Sequence, residues 1–584
     1  SISWDTSDPN ALSTEGGTVL TMHGINFGTL ATVSIGGYSC PVISRDHSQI
    51  TCTLPMGAGS DLPATVQVLT RTSTSKPFSY AVLVVDDFEP KHYSTIGGGV
   101  IRITGRNFGP PGAGAVLGTR VCITLTWTHT EVTCTIPSGQ GTDLRVGIYR
   151  WGKITYGISS VYFNYDAPTI EKVSPRVTTS GGTSLTITGT NLGIFTSDAS
   201  VNNVTLNLRS PTDSTVLVNT LCPITYQVHT QIVCTAPEGY GTNYIVYVSV
   251  AGQTVDSTGI IDALMHYLPP SLITASPIRG PTSGGTLVTL TGSNFGNFRD
   301  TITMHFSAGD VAIPSGDIVS WTHTSIVIRT PPGQELNVPL SVQSILQVSP
   351  GTTVRFSYNA PTITSITPAS LPTGGSDRVV TIVGESLSTT GTIAIGSYAC
   401  TPVPGKWAHT SVECTVPSGS GISLTVVLTS PTGISNALLF SFDAPAITDI
   451  APQDAPTSAK DGNDAPIVLT ITGTSFSEMN GATPTAAVTV GSVVCPVLTQ
   501  THTEITCSLP SGLGTVDVVV SVVGRMSDIV SYSYGTPTVS AISPVHAPTS
   551  GGTLLTITGT NFGATTLTTV TVGGAPCPFA LDGN

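Results

Sequence analysis

A histidine recurs at one phase along this chain: His47, His129, His229, His323, His409 and His502. Imidazoles in register are what an array of metal sites would need. Zinc, however, takes three or four ligands together, and each repeat brings a single histidine. The expected role is therefore a turn residue that hydrogen-bonds locally to the Thr or Ser after it. Five of these histidines stand five residues before a cysteine. The cysteines pair in the same phase: Cys40/Cys52, Cys122/Cys134, Cys222/Cys234, Cys400/Cys414 and Cys495/Cys507, with Cys577 left over. One pair per repeat at fixed spacing predicts a local disulfide. Closing so short a loop would stabilise a repeat by roughly 3 kcal/mol in the chain-entropy account. Buried free thiols are the weaker alternative, and a pair alone is too few ligands for zinc. Around residues 270–360 there is no cysteine, and Ile328 stands where the second should be. That predicts a buried position and a dispensable staple.

Acidic, amide and glycine-rich stretches are the other candidates for chemistry. Asp86, Asp87 and Glu89 in "VVDDFEP", and Asp461 and Asp464 in "KDGND", are acid clusters near junctions. Calcium prefers several oxygens together, but the remaining junctions carry one Asp or none, so calcium is unsupported and no cofactor is expected. Asn203 in "NVT" is an N-glycosylation acceptor, expected on a surface loop. Thr and Ser beside Pro also suit O-linked sugar. The phrase "PTSGGTLLTITGTNFG" at Pro548–Gly563 resembles a phosphate loop only superficially. It lacks both G-x-G-x-x-G before a helix and G-x-x-x-x-G-K-[ST]. Its glycines are expected in turns of positive φ. No nucleophile with a base and no paired carboxylates recur in phase, so no catalytic residue is assigned.

The elements that would position these residues are short strands. "TLLTITG" alternates β-branched apolar and polar residues, the period-2 pattern of a half-buried strand. The Gly-rich phrase occurs seven times, about every 80 to 100 residues, which is one sandwich domain per copy. An apolar residue recurs near its end, at Phe27, Phe108, Leu192, Phe295, Leu387, Phe476 and Phe562, and reads as a core plug. No segment has a convincing helical period, and 62 Gly and 42 Pro punctuate the 584 residues at turn spacing. The fold class is all-β. Boundaries fall at 1–86, 87–167, 168–269, 270–360, 361–444, 445–536 and 537–584, the last copy covering an N-terminal half only. Only 9% of residues are charged, against about 25% in ordinary domains. A net charge of −13 without basic runs argues against nucleic acid. No apolar run approaches the roughly 18 residues of a membrane helix. Ser1 opens no signal peptide, so a mature form or a fragment is expected.

The order of these phrases resembles the IPT/TIG family. "PTITSITPASLPTGG", a "TLTITGTNFG"-like strand, "V-x-V-G-G-x-x-C", "T-x-I-T-C-x-x-P-S-G-x-G" and a closing "F-S-Y" carry the resemblance over essentially the whole chain. It departs where the "NFG" turn becomes "ESL" and "TSF", and in the Cys-less fourth repeat. The resemblance implies immunoglobulin-like sandwiches strung end to end, as in plexins, related receptors and some transcription factors. The Cys pairs and the acidic charge favour the extracellular branch. The expected function is a rigid, glycosylated, non-enzymatic rod that forms or decorates a surface fibril. The alternative is the ectodomain of a plexin-like receptor or adhesin binding a protein or glycan. An enzyme with accessory modules would need a catalytic domain elsewhere. Residues 537–584 predict either a continuing polypeptide or completion by another chain, which would give head-to-tail self-association.

Overall fold

The computed structural model describes residues 3–5, 12–112, 114–150, 153–157, 161–209, 215–297, 300–345, 347–350, 353–376, 378–563 and 568–580. Each of the first six repeats folds as two packed, mainly antiparallel layers, which in repeats two and five are joined into one continuous sheet by the shared strands Arg120–Trp127 and Tyr398–Trp407. Repeat three shows the plan. One sheet orders its strands as Lys172–Ser174, Ser184–Thr188, Gln231–Thr235 and Ile224–Val228; the other as Val216–Leu221, Asn202–Arg209, Ile245–Val250 and Gln253–Asp256. In Asn202–Arg209 every second residue is buried, Val204, Leu206 and Leu208 among them. Those side chains meet Leu185, Ile187 and Ile232 of the facing sheet in one core. Alternation therefore fixes which face is buried.

Three devices hold each sandwich. The first is the disulfide. Cys40–Cys52, Cys122–Cys134, Cys222–Cys234, Cys400–Cys414 and Cys495–Cys507 are all closed, with Cα–Cα distances of 5.5–5.7 Å. In repeat one the bond joins Tyr38–Cys40 of one sheet to Gln49–Thr53 of the other. In repeat four the buried Ile313 and Ile328 belong to one core cluster with Ile318. The second device is a tyrosine. Tyr80, Tyr165, Tyr267, Tyr358 and Tyr534 donate their hydroxyls to the carbonyls of Pro55, Pro137, Pro237, Pro331 and Pro510, at 2.6–2.9 Å. A glycine two residues on lies flat under each ring, because a Cβ there would overlap the phenol. Burial pushes the Tyr80, Tyr165 and Tyr534 hydroxyls up to about 12, so they remain donors. Repeat five has Phe442 instead, and Tyr398 from another strand supplies the bond to the Ser420 carbonyl, at 3.1 Å. The third device is the apolar plug. Phe108, Leu192, Phe295, Leu387 and Phe476 are fully buried and Phe27 nearly so. Phe562 is only partly covered.

Repeat seven contributes two strand pairs, Thr538–Ser543 with Thr556–Thr560 and Thr571–Val572 with Ala575–Pro576. Most of its described residues are exposed.

The domain junctions as the candidate functional site

The Gly-rich phrase spans its sandwich from end to end, and its two ends touch different neighbours. Its T-x-G-G loop faces the following repeat. Its N-F-G turn faces the preceding one. At the loop, Gly16 has φ +77°, and a Cβ there would stand 2.7 Å from the Leu54 carbonyl oxygen, so only glycine fits. The loop threonine is buried in each complete repeat: Thr14, Thr95, Thr179, Thr282, Thr373 and Thr457.

The in-phase histidine of the next repeat reaches that threonine. His129 Nδ1 is 3.0 Å from Thr14 Oγ1, His229 Nδ1 2.9 Å from Thr95 Oγ1, His323 Nδ1 2.9 Å from Thr179 Oγ1, and His502 Nδ1 2.9 Å from Thr373 Oγ1. Loop hydroxyls also accept backbone N–H groups from the turn opposite: Gly109 onto Thr14 (3.2 Å), Ser388 onto Thr282 (3.4 Å) and Ser477 onto Thr373 (2.9 Å). The turn asparagine answers in kind. Asn191, Asn294 and Asn561, all with left-handed φ, accept the N–H of Thr95, Thr179 and Thr457. His409 is the exception, since its Nδ1 is buried without a hydrogen-bond partner.

Each histidine is anchored by its own hairpin. Its carbonyl accepts the N–H of the plug residue, as in His129 to Phe108 (2.9 Å) and His323 to Phe295 (3.0 Å). Two positions earlier, a side-chain N–H caps the same turn. Trp127, Gln227, Trp321, Trp407 and Gln500 donate to the carbonyls of Gly109, Leu192, Phe295, Leu387 and Phe476. In repeats two, four and six the Thr that precedes the histidine closes the hairpin, with Thr128 Oγ1 accepting from Glu131 N at 2.9 Å, Thr322 Oγ1 from Ser325 N at 3.0 Å and Thr501 Oγ1 from Glu504 N at 3.0 Å. This corrects the expected local role. The imidazole crosses the junction instead of bonding to the Thr or Ser after it, at His129, His229, His323 and His502 alike.

The last glycine of N-F-G brings the two backbones together. A Cβ on Gly296 would press on Tyr240, one on Gly193 on Gln140, and one on Gly563 on Leu513, each from the preceding repeat. Gln140 Oε1 accepts the Ile194 N–H across the second junction at 2.8 Å, and Gln334 Oε1 accepts the Thr389 N–H across the fourth at 3.0 Å. From the other edge, Gln253, Gln347 and Arg525 donate to the carbonyls of Tyr165, Tyr267 and Phe442 at 2.7–3.0 Å.

Burial lowers the pKa of His129, His229, His409 and His502, because an imidazolium would lose hydration there. Glu478 faces His502 Nε2 at 3.2 Å and Glu238 faces His323 Nε2 at 3.5 Å. His47 is exposed.

The remaining sequence candidates lie elsewhere. Asn203 sits on the strand Asn202–Arg209, not on a loop, and pairs with Ser249. Its side chain is partly exposed between the inward Asn202 and Val204, and its Nδ2 donates to the Ala199 carbonyl at 3.2 Å. The acids of "VVDDFEP" face cations: Asp86 pairs with Arg106 at 3.3 Å, and Asp87 and Glu89 with Lys91. Asp461 accepts the N–H groups of Asn463 and Ala465, which holds its carboxyl below the usual range. Asp464 pairs with Lys460 at 2.9 Å. Cys577 is unpaired and partly exposed.

One constellation escaped the sequence reading. In repeat four, Asp310 Oδ1 is 2.8 Å from His305 Nδ1, and His305 Nε2 is 2.8 Å from Ser341 Oγ. The order matches a nucleophilic triad. Its setting does not. The three residues lie on adjacent strands of one sheet, opposite the buried Ile302, Met304, Leu340 and Val342. Ser341 is mid-strand, 5% exposed beneath the imidazole, and Thr303 opposite it belongs to the same ladder. Acyl transfer needs an accessible hydroxyl and free donors for an oxyanion, and this sheet face offers neither.

IPT/TIG domains match residues 4–80, 83–164, 168–260, 270–358, 361–442, 445–534 and 537–582. Fibrocystin-L of Mus musculus is 25% identical over 620 residues, covering 90% of this chain and 14% of that protein. Plexin-2 of Caenorhabditis elegans is 29% identical over 231 residues, covering 38% of this chain and 12% of that protein. The full extracellular region of plexin A4, a solved structure, covers 90% of this chain and 55% of its own at 15% identity and a TM-score of 0.17. The chain thus spans a small fraction of the length of both relatives. Seven consecutive matches, one for each Gly-rich phrase, place the chain in the IPT/TIG domain family.

Proposed function

We propose that this chain is a non-catalytic extracellular structural element, a stiff rod that sets a distance. The observation that carries this reading is the recurrence of one junction. At the first, second, third and fifth junctions a buried loop threonine of one repeat meets the hairpin histidine of the next, without intervening linkers. Repeated polar and apolar contacts at each joint oppose the relative motion that domains otherwise show by default. Five buried disulfides fit an oxidising exterior. Asn203, on an outward sheet face, carries an N-linked glycan in this reading, and a mass shift removed by amidase digestion tests it. Negative-stain images of the chain at neutral pH should show straight particles of constant length. A flexible string with no preferred end-to-end distance would sink the rod. Filaments longer than one chain that grow with concentration would add the fibril. Single rods at every concentration would remove it.

A further inference from the structure

The junctions are alike in backbone and unlike in charge. At the second, His229 hydrogen-bonds to the buried Thr95 of repeat two, and the charged group that acts on it is Arg120, also of repeat two. At the third, His323 makes the same bond to Thr179, but Glu238 of repeat three faces its other nitrogen at 3.5 Å. A proton arriving at His229 therefore creates a half-buried cation at the seam, hydrogen-bonded to Thr95 and paired with no carboxylate among the described residues. A proton arriving at His323 creates an ion pair across the seam. We propose that the junction between repeats two and three is an acid-released hinge, while the junction between repeats three and four stays docked.

The sign follows from burial. Desolvation, with Arg120 adding to it, lowers the pKa of docked His229 below the ordinary value of 6.5. The undocked form holds the proton more tightly. Docking is at full strength above about pH 6.5 and weakens as pH falls through the window below it, by up to about tenfold in the docking equilibrium per pH unit. The first junction is intermediate, because Glu15 and Arg150 act on His129 in opposite directions. At the fifth, Glu478 and Arg378 likewise oppose each other on His502. His266 of repeat three also has a lowered pKa, through burial and Arg176, but it bonds within its own repeat to Thr242. It is the competing source of any acid effect on that repeat.

The inference rests on the rod reading, which imaging at neutral pH tests separately. Hydrogen exchange of the full chain, corrected for intrinsic rates, reads the hinge directly. The Ile194 N–H bonds across the second junction and the Thr179 N–H across the third. Between about pH 7.5 and pH 5, Ile194 should lose protection reversibly as pH falls below about 6.5, by no more than about tenfold per unit, and then level off. Thr179 and the core amide of Val246 should hold theirs. His229→Gln should flatten the response at Ile194 and leave His266 in place. Arg120→Gln, at an exposed position, should make the loss at Ile194 smaller, because it removes one cause of the lowered docked value. Equal behaviour of Ile194 and Thr179, loss at Ile194 only together with Val246, or an unchanged response in His229→Gln would each overturn the proposal.

Discussion

At the first junction one hydroxyl does three things: Thr14 Oγ1 is buried, accepts the Gly109 N–H and meets His129 Nδ1. Thr14→Val keeps the shape and removes all of its bonds. Leaving a buried donor unpaired costs about 1–3 kcal/mol, so the Gly109 amide should exchange markedly faster while the cores of both repeats keep their protection. Unchanged exchange would mean the hydroxyl contributes nothing to docking. Within a repeat, Tyr165→Phe removes the bond to the Pro137 carbonyl and should lower the unfolding free energy of repeat two by about 1 kcal/mol, read from its denaturation midpoint. The histidine phase was legible from the chain alone, but its partner was not. Thr14 and His129 are 115 residues apart, and periodicity within one repeat carries no sign of what the neighbouring repeat presents. The cap two residues before the histidine was hidden differently. Trp127 and Trp321 share a donor N–H with Gln227 but not a residue type.

The elements were more readable. Period-2 runs such as Leu287–Ser293 and the paired cysteines mark strands and staples locally, because each is decided by neighbours in sequence. What failed depended on register. Asn203 looked like a loop residue within a polar stretch, yet it pairs with Ser249 in the sheet. His305, Asp310 and Ser341 became neighbours only through the pairing of three strands. The Cys-less repeat makes a prediction at this scale. Full reduction should destabilise the five stapled repeats, by roughly 2–5 kcal/mol each, and leave residues 270–360 unaffected. Calorimetry with and without reductant should show one unchanged transition. A uniform shift of all transitions would contradict the view that Ile313 and Ile328 replace the bond. Gly292→Ala is the complementary test. A Cβ there would meet both the Ser271 carbonyl and the Phe295 ring, so repeat four should be destabilised by about 1–3 kcal/mol, seen in that same transition.

For the whole molecule, the proposed stiffness would reside in the seams rather than in the sandwiches. Each seam is made from one end of one Gly-rich phrase and the opposite end of the next. Removing one full repeat, for example residues 270–360, would bring the His409 hairpin of repeat five against the Thr179 loop of repeat three. Such a chain should be shorter by one unit and as straight as before, whereas a cut displaced by half a repeat should leave a kink or an unfolded segment. Electron micrographs of the two deletions distinguish these outcomes. The arrangement also bears on how such an array grows. A duplicated repeat carries its plug and its socket in the same copied stretch. Any number of copies can therefore be added or lost without a new contact having to arise, and length becomes a trait that recombination alone can tune.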